Sequence, residues 1–385
     1  DGISGGGNEM TVLTFTTSNN QGRLPEAREM DVPYSDALFD KNPAEYQHDL
    51  ARVSAVMAGS TYTRDSQVAG PGYATENLRA LGFKTESHGY HVVDDPNNVA
   101  FTLGYKRVGA NNLFAVIIRG TPQNAEWSGD FMIGDEDAPG MDNMIYIGQK
   151  IAAQLHEFVM QFDNVGQENI FWVTGHSRGG SATEVVGKML IDAGEERVFA
   201  YAFAPTTTYK SADNIDYAVK YQAVHAIINP LDVAPTFPLV QWGFTHIGQQ
   251  HILSVAVLPE VAKEYERING VPFKGDAKQD ADMLDRGLQL YYALAPSVHD
   301  FYHATTPWWD GQTMTPYQWV QDMMMAPQGL EIPERTANVM AYAKTHPVYA
   351  KLFEHMANGG MGSYEHTVTT YISFMAVLPD DWVKS

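Results

Sequence analysis

Cysteine is absent from the 385 residues. Disulfides, thiolate nucleophiles and zinc–thiolate sites are therefore excluded, while the redox compartment stays open. Positive charge is the second shortage: 25 Lys and Arg stand against 46 Asp and Glu, for a formal charge of -21. That number of acids is ordinary for the length, so basic groups are scarce rather than acids abundant. Such a surface repels phosphate backbones and anionic headgroups, which argues against a nucleic-acid partner and against electrostatic docking on membranes. An uncharged apolar ligand, or transient contact with a lipid interface, stays compatible with it. Long apolar runs are missing too. "HILSVAVL" at 251–258 is the size of a buried strand, far short of a span, so no transmembrane segment is expected. Low charge (18%) with 44% hydrophobic residues fits a compact core and not a disordered chain. The chain opens on Asp1 rather than methionine, and a secreted or extracytoplasmic location is the expectation taken from that.

The patterning divides the chain. Residues 1–30 begin with the Gly-rich "DGISGGGNE" and read as a flexible tail. From 31 to 258, apolar runs alternate with amphipathic stretches. Helical spacing of Tyr46, Leu50, Val53 and Met57 comes first, then "TENLRALGF" ending on Gly82. "HVVDD", "VAFTLGYK", "LFAVIIRG", "NIFWVTG", "VFAYAFAP" and "AVHAIINP" look like strands, and "MIYIGQKIAAQLHEFVMQF" and "SATEVVGKMLIDAG" like helices. This alternation predicts an α/β fold with a mainly parallel sheet flanked by helices. Between 259 and 360 helical patterns dominate, predicting a helical insertion or cap, and 361–385 returns to the core.

In "FWVTGHSRGG" one serine stands two residues from a glycine on either side. By composition alone, G-x-S-x-G turns up in about one chain of this length in ten, so the motif by itself is weak. Its setting is stronger. An apolar strand enters Gly175-His176-Ser177-Arg178-Gly179, and a helix with Ala182, Val185, Val186, Met189 and Leu190 on one face leaves it. A turn that sharp has no room for side chains at Gly175 and Gly179, and it sets Ser177 at a helix N-terminus where N–H groups favour an oxyanion. The plain alternative is a serine capping an ordinary helix.

A serine hydroxyl needs a base, and the base an orienting acid. "AVHAIINPLDVAPTFP" carries Asp232 at the C-terminal edge of a strand, where open sheets place ligand sites; a plain turn former is the alternative. Among thirteen histidines, His366 lies in a loop before the last helical stretch, whereas His299 falls inside a helical pattern with His303 four residues on. That pair shares a face, but no third ligand or adjacent glutamate announces a metal site, so no metal is expected. His246 and His251 read as structural. His176, inside the turn, is expected to pack or bond a loop. A second oxyanion donor besides the Arg178 N–H is offered where the strand 113–118 ends in Arg119-Gly120-Thr121: Pro122 has no N–H, which leaves Thr121, whose plain alternative is a strand-end turn.

With these segments together the chain resembles the class 3 lipases, the family of fungal triacylglycerol lipases and their bacterial relatives. "AVIIRGTPQNAEWSGDF" is similar to the family's strand, R-G-T/S and W-x-x-D/N block, and "VTGHSRGGSA" to its serine turn. "HAIINPLDVAPTFPLVQWGFTHIGQ" is similar to its N-x-x-D-x-V-P-x-L-P segment and the stretch that follows, and "EHTVTTYI" to its H-s-x-x-x-Y ending. The resemblance implies an α/β-hydrolase-like fold and a carboxylic ester hydrolase without cofactor or metal, acting on a small ester or lipid. Carried across, it implies Ser177 as nucleophile, Asp232 as acid, His366 as base, and Thr121 with Arg178 as oxyanion donors. Trp127 and Phe131 stand where fungal members carry a lid, and Trp308, Trp309, Trp319 and Met323 to Met325 offer a second cover. Two departures stand out. Ala234 replaces the family's Val, and His366 lies much farther beyond Asp232 than in the short fungal enzymes, whose ending is also matched by His299 to Tyr302. His299 is the alternative base. An acyltransferase with the same triad and a non-catalytic binding protein that kept the fold are the alternative functions.

Overall fold

The structure, a computed structural model, describes residues 9–17, 25–62, 70–92, 95–120, 133–134, 137–162, 167–304, 306–309, 312–318 and 364–383. Its frame is a seven-stranded sheet of β3 (Lys84–His88), β4 (Phe101–Val108), β5 (Asn111–Ile118), β6 (Asn169–His176), β7 (Val198–Phe203), β9 (Val224–Ile228) and β11 (Gln249–Ile252), side by side in that order. The five strands from β5 to β11 run parallel, and β4 and β3 add antiparallel pairs at one edge.

Both faces of the parallel strands are covered, which is why they read as unbroken apolar runs and not as alternations. Along β5, Leu113, Ala115 and Ile117 face one core with α1 (His48–Ser60) and α9 (Val368–Val377). Phe114, Val116 and Ile118 face the other, with α3 (Asp142–Met160) and α4 (Arg178–Asp192). The helices α3 and α4 approach closely at Gly148, where a β-carbon would stand 2.2 Å from Val185 Cγ1. The short helix α2 (Ala74–Ala80) ends before Gly82, whose φ of +94° is left-handed.

The N-terminal expectation is corrected. Within the segment read as a tail to residue 30, β1 (Glu9–Thr16) pairs antiparallel with β2 (Ala27–Tyr34). Leu13 and Phe15 are fully buried in the core that also holds α1. Burial of those two side chains offsets the chain entropy that the preceding glycines suggested would be kept. "HVVDD" is corrected as well: its described residues 91, 92 and 95 lie in turn and coil. The expected strand at 251–258 is shorter and earlier, because β11 pairs with β9 over only 249–252, after which Ser254 caps a single turn leading into a helix.

Beyond the sheet come α6 (Leu258–Asn269), α7 (Ala277–Leu294) and α8 (Val298–His303), then a two-stranded hairpin of β12 (Thr306–Trp309) and β13 (Gln312–Met314). The described residues also include the pair β8 (Tyr209–Lys210) and β10 (Phe244–Thr245) and the four-residue helix α5 (Tyr217–Lys220).

Candidate active site

The middle strand of the sheet, β6, ends at His176, and α4 begins at Arg178. Ser177 between them has φ 61° and ψ -121°, a conformation that costs a side-chain-bearing residue about 1–3 kcal/mol. The glycines of the motif make the turn passable. A β-carbon on Gly175 would sit 2.4 Å from Gly179 O, and one on Gly179 would sit 2.5 Å from Ile118 O. Gly180, which the sequence did not single out, is equally confined by Phe203 O at 2.4 Å. Ser177 makes no side-chain bond to the helix N-terminus, so the plain capping alternative fails.

Its hydroxyl meets a different partner. Ser177 Oγ lies 2.8 Å from Nε2 of His366, and Nδ1 of the same ring lies 2.8 and 3.0 Å from the two carboxylate oxygens of Asp232. A carboxylate only accepts, so Nδ1 carries the proton and Nε2 is left to accept from the serine. Asp232 is almost fully buried in the turn after β9 and receives two further bonds, from Tyr371 Oη at 2.8 Å and from the Ala234 N–H at 3.0 Å. Its charge is thus spread over several donors in a dry environment.

Two long-range bonds hold the turn that carries His366; of their donors the sequence offered only His176, expected to pack or bond a loop, and not its partner. Asn229 Nδ2 donates to the Glu365 carbonyl at 3.1 Å. His176 Nε2 donates to the His366 carbonyl at 2.6 Å. That leaves His176 Nδ1 to accept from Tyr62 Oη at 2.9 Å. Burial, then the nearby His366, pull the His176 imidazole well below its usual range, so it is the neutral ring this double role needs. Tyr371, one turn into α9, accepts the Asn229 N–H at 3.0 Å while donating to Asp232. Burial and the Asp232 carboxylate push its phenol well up, keeping it protonated as a donor. The H-x-x-x-x-Y and N-x-x-D spacings were the signals that contained Tyr371 and Asn229.

The Arg178 main chain stands at the first position of α4, while its buried guanidinium donates to the Pro96 and Asn98 carbonyls, each at 2.8 Å. Gly120 packs against the same turn: a β-carbon there would fall 2.6 Å from His176 O. Thr121, Trp127 and Phe131 lie outside the described residues, as do Trp319 and Met323 to Met325; of Trp308 and Trp309 only the strand β12 is described. His299 is elsewhere, on the exposed face of α8, with its ring centroid 4.6 Å from that of His303. The histidines read as structural are bonded within the core: His246 to Glu184 and the Pro235 carbonyl, His251 to His225. A cavity of about 420 Å³ opens on the acid side, lined by Asn229, Asp232, Thr236, His246 and Leu288 of α7 among others.

No curated protein matches the chain. Solved structures similar to it are a triacylglycerol lipase whose catalytic centre is described as a serine protease triad, the Rhizomucor miehei triacylglyceride lipase and the Lip2 lipase of Yarrowia lipolytica. The first is 16% identical over 54% of this chain and 79% of its own, with a TM-score of 0.40. The second is 15% identical over 57% and 82%, at 0.39. The third is 16% identical over 57% and 80%, at 0.37. The family model of the class 3 lipases matches residues 115–242, from within β5 to beyond Asp232, and ends before His366. The segment that builds the serine turn and the acid turn is thus the part of the chain that is similar to the class 3 lipases.

Proposed function

We propose that the protein is a serine carboxylic ester hydrolase in which Ser177, His366 and Asp232 act as nucleophile, base and acid. The observation that carries this reading is the unbroken chain Ser177 Oγ–His366 Nε2 and His366 Nδ1–Asp232, each link 2.8 Å at its shortest, on a serine held at φ 61°. Ser177 Oγ attacks the ester carbonyl as its proton passes to His366 Nε2. The carbonyl oxygen, as charge develops on it, accepts from the N–H of Arg178 at the start of α4, with Thr121 as second donor. Collapse breaks the ester C–O bond, and the departing alcohol takes the proton back from His366. Water then repeats the sequence on the acyl-Ser177 ester, which frees the acid and restores the hydroxyl. Asp232 stays ionised and stabilises the imidazolium formed in each half. No step calls for a metal or an organic cofactor.

The reading extends to an exported enzyme that touches a lipid interface only transiently. The excess of 46 acids over 25 bases disfavours anionic headgroups, and among the described residues no helix is long and apolar enough to cross a membrane. Trp127 and Phe131 are the proposed apolar cover. Hydrolysis of aryl esters from acetate to palmitate by the full chain, with Ser177→Ala beside it, tests the reading. Turnover in the parent and a loss of at least about 10⁴-fold in the variant are expected. Undiminished turnover in Ser177→Ala removes the serine from its role.

A further inference from the structure

Glu365 stands one residue before His366, and its fully buried side chain faces Asp280 of α7, itself fully buried. Among the described residues neither carboxyl oxygen of Glu365 has a well-formed hydrogen bond, and only its own main-chain N–H favours the charged form. Among the described residues, what faces it offers no counter-charge: Asp280 from α7, Asp232 from the turn after β9, Tyr265 from α6 and Tyr364 on its own turn. The backbone closes the space, since a β-carbon on Gly275 would lie 2.8 Å from Glu365 Oε1. Two carboxylates cannot both stay ionised in so dry a place, so one proton has to remain between them. Asp280 Oδ2 accepts the Asp276 N–H at 3.0 Å in the first turn of α7, where the helix end favours an anion. The proton therefore sits on Glu365, as an acid donating to a carboxylate, the strong form of O–H···O bond.

The geometry points to Glu365 and Asp280 as positioning residues for His366: one proton shared by the two carboxyls fastens the turn that carries the imidazole to α7. The inference rests on the reading of His366 as the base and adds a condition for its alignment. Asn229 and His176 hold that turn through main-chain carbonyls from the side of the sheet. The acid pair holds it from the side of the helices after the sheet, and this hold is lost when the proton is lost. Burial, then the hydrogen bond to Asp280, raise the Glu365 carboxyl far above its ordinary range. The sign follows: the stabilisation is complete below the usual carboxyl range and drains away as the pH rises through the raised value. A serine triad without such a device keeps a level kcat once the imidazole is neutral.

The test is the dependence of kcat and KM on pH for a short aryl ester, from about pH 6 to about pH 11, in the full chain and in Glu365→Gln, Asp280→Asn and His366→Ala. Glutamine still donates an N–H to Asp280 but does not titrate. The parent should lose kcat reversibly at alkaline pH with KM nearly constant. In Glu365→Gln that limb should move upward by about one pH unit or more, or vanish. Asp280→Asn reads the same limb from the other partner, and stands in should the glutamine variant not fold. The melting temperature of the parent should fall over the same range, and more steeply than that of the variants. Limbs that superimpose in parent and variants, or a limb seen in KM alone, overturn the pairing while an inactive His366→Ala leaves the triad standing. Parental turnover in His366→Ala sinks the triad reading instead, and the positioning role with it.

Discussion

His176 Nε2 donates to the main-chain carbonyl of His366 across 2.6 Å, so the strand end that lifts Ser177 also grips the turn whose imidazole it meets. Because Tyr62 Oη closes the other side of the ring at 2.9 Å, His176→Phe keeps the volume and removes both bonds. We expect kcat to fall about 10–100-fold, which corresponds to about 1.4–2.7 kcal/mol, with KM changed by no more than about twofold. Steady-state kinetics on one soluble ester checks this, and a variant with parental kcat contradicts the brace.

Tyr371→Phe removes a hydroxyl that donates to Asp232 and accepts the Asn229 N–H. Both partners are buried. A loss of about 1–3 kcal/mol in unfolding free energy is expected at neutral pH, together with a lower kcat. Urea denaturation measures the first. A variant as stable as the parent means that the hydroxyl is not needed to satisfy the acid turn.

Acid should destabilise the fold through a histidine pair that takes no part in the triad. His225 Nε2 donates to the Pro43 carbonyl at 2.9 Å, so its Nδ1 accepts from His251 Nε2 at 2.8 Å, and both rings are neutral. Burial pulls His225 from 6.5 down to about 4 and His251 to about 3. Between those values and 6.5 the unfolded chain binds protons that the folded one refuses. Stability is therefore complete above about pH 6.5 and drains as the pH falls toward 4 and then 3, by on the order of a few kcal/mol. Urea denaturation at stepped pH follows the loss, and a level profile from pH 6.5 to 4 contradicts the account.

The parts of the site that were legible in the sequence are those fixed by local sterics. Gly175 and Gly179 mark a strand-to-helix turn because a side chain at either would strike backbone a few ångströms away, and a constraint of that kind leaves its trace within five residues. Asp232 stands at a strand end for an equally local reason. The meeting of His366 with both was suggested by a resemblance, by chain position, by its loop setting and by its spacing to Tyr371, none of which records the contact itself. The braces His176, Asn229 and Tyr371 join residues far apart in the chain, and single-sequence periodicity carries no record of such bonds. The N-terminal hairpin was hidden by its glycine-rich approach and by the apolar Met10 and Val12, which point outward and blur the alternation of β1. The acid pair of Asp280 and Glu365 was invisible for a simpler reason: two acids on separate segments look like surface until burial is known.

The central claim is that Ser177 is made nucleophilic by His366. Its most direct test is the mass of the tryptic peptide containing residue 177 after treatment with an aryl alkylphosphonate, in the parent, His366→Ala and His299→Ala. The account predicts one stoichiometric adduct on Ser177 in the parent and in His299→Ala, and labelling slower by at least about a hundredfold in His366→Ala. An adduct on another residue, or rapid labelling that survives loss of His366 and disappears with His299, would contradict it.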